Sequence, residues 1–238
     1  MIVAANFKTN HTRDSTAAYM EALETYLSGC ETAPTVMVFP PATALDHYEG
    51  RAVVGAQNAY AVQNGAYTGE IGLEQLEEFG IRTLLVGHSE RRHILGESQE
   101  EIARKFAFFK EAGFTVVYCI GEPLEVREAG NEALMEYLEA QLEGIDTDYA
   151  KLVVAYEPVW AIGTGLTPSL HDIELIHSAL KHRLGTPLLY GGSVKAANAR
   201  EILALDNVDG ILVGSGALEV ADFIAMIKDA QTLHNKGE

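Results

Sequence analysis

The 238-residue chain sets 34 Asp and Glu against 17 Lys and Arg, giving a formal net charge of −17 at pH 7 and a pI of about 4.8. That balance argues against nucleic acid or an anionic membrane surface as partner, so any anionic substrate has to be captured by a local site. With 47% hydrophobic and 21% charged residues the chain has the composition of a soluble globular protein, at the size of one large α/β domain. Cys30 and Cys119 are too few for a disulfide framework and have no metal-ligand company, so both read as reduced thiols, Cys119 as a buried packing thiol. No stretch approaches the ~18 apolar residues of a membrane span, and a cytoplasmic location is expected.

Short apolar runs recur at residues 2–5, 36–39, 53–56, 83–86, 115–119, 152–155, 187–190 and 210–213. Between most of them apolar residues fall at helical spacing: Ala17, Met20, Leu23 and Leu27; Ile102, Phe106 and Phe109; Leu134, Leu138 and Leu142; Ile173, Ile176 and Leu180. Residues 42–48 have only weak helical character. Strands alternating with helices need parallel pairing and right-handed crossovers. Eight such units without a Gly/Ser-rich linker predict an α/β fold, a single (β/α)8 barrel over residues 1–238. A doubly wound open sheet satisfies the same pattern. His171, His177 and His182 lie on the predicted helix after the sixth run at spacings that make no one-face metal pair, and they read as surface residues.

Sheets of this class carry their chemistry at the carboxyl ends of the strands. After the first run comes Asn6-Phe7-Lys8-Thr9-Asn10, which puts a Lys at a strand end. After the fourth comes Gly87-His88-Ser89-Glu90-Arg91-Arg92, where Ser89 or a neighbour starts a helix whose amide groups face the imidazole, a field that disfavours its protonation. After the sixth comes Ala155-Tyr156-Glu157-Pro158-Val159-Trp160-Ala161-Ile162-Gly163-Thr164-Gly165. This string places a carboxylate before a loop with an apolar cover and two glycines, the composition of a lid beside a base. After the last two come Tyr190-Gly191-Gly192-Ser193 and Gly214-Ser215-Gly216, turns whose backbone N–H groups can approach a phosphate closely. The second is a fragment of a dinucleotide fingerprint, but Glu219 stands where its third glycine would be, which argues against a nucleotide.

These strings, together with Gln57-Asn58, Gly65-Ala66-Tyr67-Thr68-Gly69-Glu70 and Cys119-Ile120-Gly121-Glu122, resemble the triosephosphate isomerase family from end to end. The resemblance implies a homodimeric TIM barrel that interconverts dihydroxyacetone phosphate and D-glyceraldehyde 3-phosphate without metal or organic cofactor. It makes Glu157 the base, His88 the electrophile and acid, and Lys8 the charge stabiliser, with Asn6 positioning the site and Glu90 behind Lys8 and His88. Phosphate would be held by Gly163, Ser193, Gly214 and Ser215. Trp160 would ride on the lid, and Tyr190 would latch it through a backbone N–H at its C-terminal hinge. Thr68 would reach the neighbouring subunit's active site, near Lys8, His88 and Glu90.

The chain departs from the family's usual pattern at several places. Phe7 stands for Trp, Thr9 for Met and Ser215 for Gly, the lid ends Leu166-Thr167-Pro168 rather than Lys-Thr-Ala, and residues 180–188 are shorter. Pro168 falls at the latch position and has no N–H to donate, leaving Thr167 as the substitute. Two other readings compete: a different phosphosugar isomerase or aldolase on the same barrel, and a catalytically silent barrel kept as a binding scaffold. The apolar runs hold no Schiff-base lysine for an aldolase, and intact Lys8, His88 and Glu157 speak against silence.

Overall fold

The computed structural model describes residues 1–162, Leu166 and residues 168–234. Gly163 and Thr167, singled out above, lie outside the described residues. Among those residues the strands are β1 (Ile2–Asn6), β2 (Thr35–Phe39), β3 (Val53–Val54), β4 (Thr83–Val86), β5 (Thr115–Ile120), β6 (Leu152–Tyr156), β7 (Leu188–Tyr190) and β8 (Gly210–Val213). All pair in parallel, in the order β3-β2-β1-β8-β7-β6-β5-β4.

The ends of that order meet. Gly55 N–H still donates to Val38 O on β2 at 2.9 Å, whereas Ala56 donates to Thr83 O and accepts from Leu85 N–H, both at 2.9 Å. The chain changes partner within two residues, so β3 is shorter than the 53–56 run suggested, and this handover closes the sheet into a (β/α)8 barrel rather than an open one.

The helices are α1 (Arg13–Ser28), α2 (Leu73–Glu78), α3 (Ser89–His93), α4 (Gln99–Glu111), α5 (Leu124–Glu128), α6 (Asn131–Ala140), α7 (Leu170–Lys181), α8 (Ala196–Leu203) and α9 (Val220–His234). Short 3₁₀ turns cover Ala42–Ala44, Val159–Ala161 and Ser215–Ala217, the first being all that forms from the weak 42–48 pattern. Side chains of Thr12, Ser98 and Ser169 accept backbone N–H groups at the starts of α1, α4 and α7, satisfying donors that have no partner within the helix.

Strand alternation divides the core into two layers. Ala4, Met37, Leu85, Val117, Cys119, Val153, Ala155, Leu189 and Leu212 fill the barrel. Their neighbours Val3, Val38, Val116, Val154 and Ile211 point outward against helix residues such as Leu23, Phe106, Leu138, Ile176 and Ile227. The period-2 register carries the inward face past the last pleat: Ala4 leads to Asn6, Ala155 to Glu157, Leu189 to Gly191 and Leu212 to Gly214. Continuation of a buried stripe, not a separate loop design, aims these four positions at the mouth of the barrel.

His177 corrects the surface assignment. It is fully buried against the rings of Tyr156 and Tyr190, at centroid distances of 5.9 and 6.1 Å, and its Nδ1–H donates to Asn207 O at 3.0 Å. It lies four residues after Ile173 and three before Leu180, on the same helix face. His171 and His182 are exposed, as expected.

Candidate active site

Asn6, Lys8, His88, Glu157, Ser193, Gly214 and Ser215 line one pocket of about 140 Å³ at the carboxyl ends of the strands. Asn6 Oδ1 accepts the Lys8 N–H at 2.9 Å, and the chain turns so sharply that Lys8 takes φ 52°, a left-handed conformation that non-glycine residues rarely adopt. Gln57 Nε2 holds the turn from below, donating to Lys8 O at 2.8 Å and Phe39 O at 2.9 Å. Lys8 Nζ reaches Glu90 Oε1 at 2.6 Å.

His88 is the N-cap of α3, a role expected of Ser89 or a neighbour. Its Nδ1 accepts the Glu90 N–H at 3.2 Å, so the neutral ring carries its proton on Nε2. That Nε2 lies 3.2 Å from Glu157 Oε1, while Ser89 N–H donates to Glu157 Oε2 at 3.0 Å. Gly87, at φ 75°, permits the approach to this turn. A Cβ there would sit 2.7 Å from Arg92 Nη2, and Arg92 Nε ties the turn down through Gly87 O at 2.7 Å.

Glu157 is 2% exposed and walled by glycine. A Cβ on Gly121 would meet Glu157 O at 1.7 Å, and one on Gly191 would meet Glu157 Cγ at 2.8 Å. Cys119 is fully buried, and burial together with the neighbouring Glu157 carboxylate pushes its thiol well above the usual range, in keeping with a packing role. The two glycine turns are in close contact, since a Cβ on Gly216 would lie 2.3 Å from Val194 O.

The triosephosphate isomerase family model matches residues 1–230. The chain belongs to the triosephosphate isomerase family. It is 60% identical over 227 residues to the triosephosphate isomerase of a Sulfurovum species, covering 95% of this chain and 99% of that protein. It is 56% identical to that of Sulfurimonas denitrificans over 238 residues, which cover 100% of this chain and 99% of the relative. The protein of the same name from a Nitratiruptor species is 58% identical over 233 residues, 98% and 100% of the two chains.

Within this triosephosphate isomerase framework some expected site residues lie outside the pocket. Glu90 stands behind Lys8, lining an adjoining groove. Trp160 sits in the 3₁₀ turn Val159–Ala161, where its Nε1–H donates to Glu122 Oε1 at 2.9 Å. Tyr190 is fully buried with its hydroxyl beneath Gly192 of the first glycine turn, and that hydroxyl has no hydrogen-bond partner among the described residues. Thr68 is exposed on a loop whose Tyr67 ring lies tilted against Tyr60, centroids 4.6 Å apart.

Sequence reasoning assigned no individual role to Glu122 or Gln57, and read Gly191 only as part of a phosphate turn, not as a neighbour of Glu157. Glu122 is buried, takes both Trp160 Nε1–H and the Tyr156 hydroxyl at 3.1 Å, and is held above the usual carboxylate range by that burial. Its signal was its place two residues beyond β5, at the same rim as the other strand ends.

Proposed function

We propose that this member of the triosephosphate isomerase family interconverts dihydroxyacetone phosphate and D-glyceraldehyde 3-phosphate through an enediolate, with Glu157 as base, His88 as proton donor and Lys8 as charge stabiliser. The observation that carries the reading is the convergence of the Glu157 carboxylate, the His88 imidazole and the Lys8 ammonium in a single small pocket bordered by two glycine turns. Removing a proton beside a carbonyl builds negative charge on its oxygen, so catalysis needs a base on carbon and fixed donors at oxygen.

Glu157 takes the carbon-bound proton and returns it to the neighbouring carbon. The Nε2–H of His88 and the Nζ of Lys8 face the two substrate oxygens. A substrate oxygen arriving at His88 Nε2 takes the place that Glu157 Oε1 holds 3.2 Å away in this structure. The reaction is a proton shuttle between adjacent carbons, and these side chains supply every acid and base it uses.

The phosphate is held by backbone groups at Ser193, Gly214 and Ser215 and by Gly163, beside Lys8. A lid carrying Trp160 covers it and keeps water from an enediolate that can expel its phosphate. A homodimer fits the exposed apolar side chains Tyr67, Ile94 and Leu95, of which Ile94 is 76% exposed. It also fits the groove of about 610 Å³ beside Lys8 and Glu90, into which the partner's Thr68 loop would insert. Among the described residues no helix is long and apolar enough to cross a membrane, and the acidic composition suits the cytoplasm.

The test is coupled turnover from either triose phosphate, with the reaction repeated in D2O. Deuterium should enter the carbon-bound position during isomerisation. Glu157→Asp, which withdraws the carboxylate by one methylene, should lower kcat by roughly 100-fold with a much smaller change in KM. Full activity in Glu157→Asp would remove this carboxylate from the role.

A further inference from the structure

Among the described residues only Lys8 and His11 are non-glycine residues with positive φ, at 52° and 67°. Lys8 has its place in the proposed chemistry; His11 has none, yet it keeps a backbone conformation that disfavours any side chain with a Cβ. Such a conformation persists when the surroundings hold it. His11 Nε2–H donates to Leu218 O at 3.1 Å, its Nδ1 lies 3.1 Å from Ser15 Oγ, and its ring sits 4.5 Å from Phe7 and 5.7 Å from Tyr19.

Leu218 closes the 3₁₀ turn Ser215–Ala217 that follows β8. Tyr19, also from the β1–α1 unit, donates its hydroxyl to Ala217 O of the same turn at 2.8 Å. On the pocket side, a Cβ on Gly214 would lie 3.1 Å from Lys8 Cε. The turn is therefore gripped by one segment of chain from two sides: Lys8 against its start, His11 and Tyr19 on the carbonyls at its end.

We infer that His11 is a positioning residue for phosphate: it locks the turn carrying Gly214 and Ser215 to the turn carrying Lys8, so that the backbone donors and the ammonium meet the same phosphate group at a fixed separation. The inference rests on the phosphate reading of that turn given under Proposed function. Carbonyls held from behind keep the amide N–H groups of the turn aimed into the pocket, and preorganised donors bind an anion without first paying for their own ordering. Phosphate is the part of the substrate that does not react, so loosening the lock acts on binding more than on the proton transfers.

The test uses the whole enzyme, with inorganic phosphate as the probe of this subsite. The wild type should be inhibited competitively against triose phosphate. In His11→Gly, which removes the ring and relaxes the backbone, KM and the phosphate inhibition constant should rise together by about fivefold, the factor set by one ordinary hydrogen bond, with kcat within twofold. His11→Gln, which returns an N–H donor at the reach of Nε2, should bring both constants back to within twofold of the wild type. A wild type inhibited by phosphate beside a His11→Gly variant with unchanged KM and inhibition constant would overturn this inference alone. So would a variant whose kcat falls as much as its KM rises without rescue by Gln, which would mark a general structural role. A wild type that phosphate fails to inhibit competitively would remove the phosphate-site reading and the inference with it.

Discussion

His88 Nε2 lies 3.2 Å from Glu157 Oε1, while the other ring nitrogen accepts a backbone N–H from Glu90. The Glu90 N–H uses the lone pair of Nδ1, so the proton of the neutral ring sits on Nε2, facing Glu157. ¹⁵N chemical shifts of His88 at pH 7 should accordingly show Nδ1 as the unprotonated nitrogen. Replacing the ring by His88→Asn, which removes the donor at the Nε2 position, should lower kcat by roughly 100-fold or more, the range for losing one donor to a developing oxyanion. An Nδ1–H signal in the wild type at that pH would contradict the assignment.

Gly191 sets how far Glu157 can stand into the pocket. Gly191→Ala introduces a methyl 2.8 Å from Glu157 Cγ and 3.3 Å from Tyr156 O, so the carboxylate has to shift. A displacement of this kind at a reacting group costs about 100-fold in kcat. Steady-state kinetics and a crystal structure of the variant check it together: a displaced Glu157 with unimpaired kcat would mean that the carboxylate's position here is not the productive one.

Burial, partly opposed by the Asn207 carbonyl, lowers the His177 pKa to about 4, against 6.5 for the free side chain. The unfolded chain therefore binds a proton between these values that the folded chain does not. This group's contribution is complete above pH 6.5, falls as pH drops from 6.5 to 4, and is flat below. Its size is on the order of 3 kcal/mol. His177→Gln should be less stable than the wild type at pH 7.5, and the gap in thermal midpoint should narrow steadily toward pH 4.5. A gap that stays constant across that range would mean His177 does not drive this pH dependence.

Tyr190 and Pro168 bear on the proposed lid latch. The Tyr190 hydroxyl is buried without a partner among the described residues, and Pro168 has no N–H to give it. Tyr190→Phe should therefore cost less than about tenfold in kcat/KM, since a net hydrogen bond contributes only ~1 kcal/mol. In a Pro168→Ala background, where the donor is restored, the same change should cost more. Equal costs in the two backgrounds would show that the Tyr190 hydroxyl does not engage position 168.

The residues that line the candidate pocket were legible because their signals are local. A Lys, a His and a Glu each fall two or three residues after an apolar run, and the glycine turns are contiguous in the chain. What the chain order could not supply is distance: Ser89 and Glu157 stand 68 residues apart and share a hydrogen bond because β4, β5 and β6 pair side by side. His177 escapes a sequence reading for a related reason. Its six- and five-residue spacings to the neighbouring histidines bear only on metal pairing, whereas its four- and three-residue spacings to Ile173 and Leu180 decide the face it occupies.

By itself the sequence determined the eight units, the strand-end chemistry, the acidic surface and the glycine-bearing turns, because periodicity, capping and glycine act over a few residues. Only the tertiary structure decided that Ala56 changes partner and closes the barrel, that Gly121 packs on the Glu157 backbone and Gly191 on its side chain, and that His11 reaches Leu218 across the first and last βα units. Each of these depends on where distant segments come to rest when the inward faces of the strands pack against one another. That is a property of the closed sheet, and no window of the chain contains it.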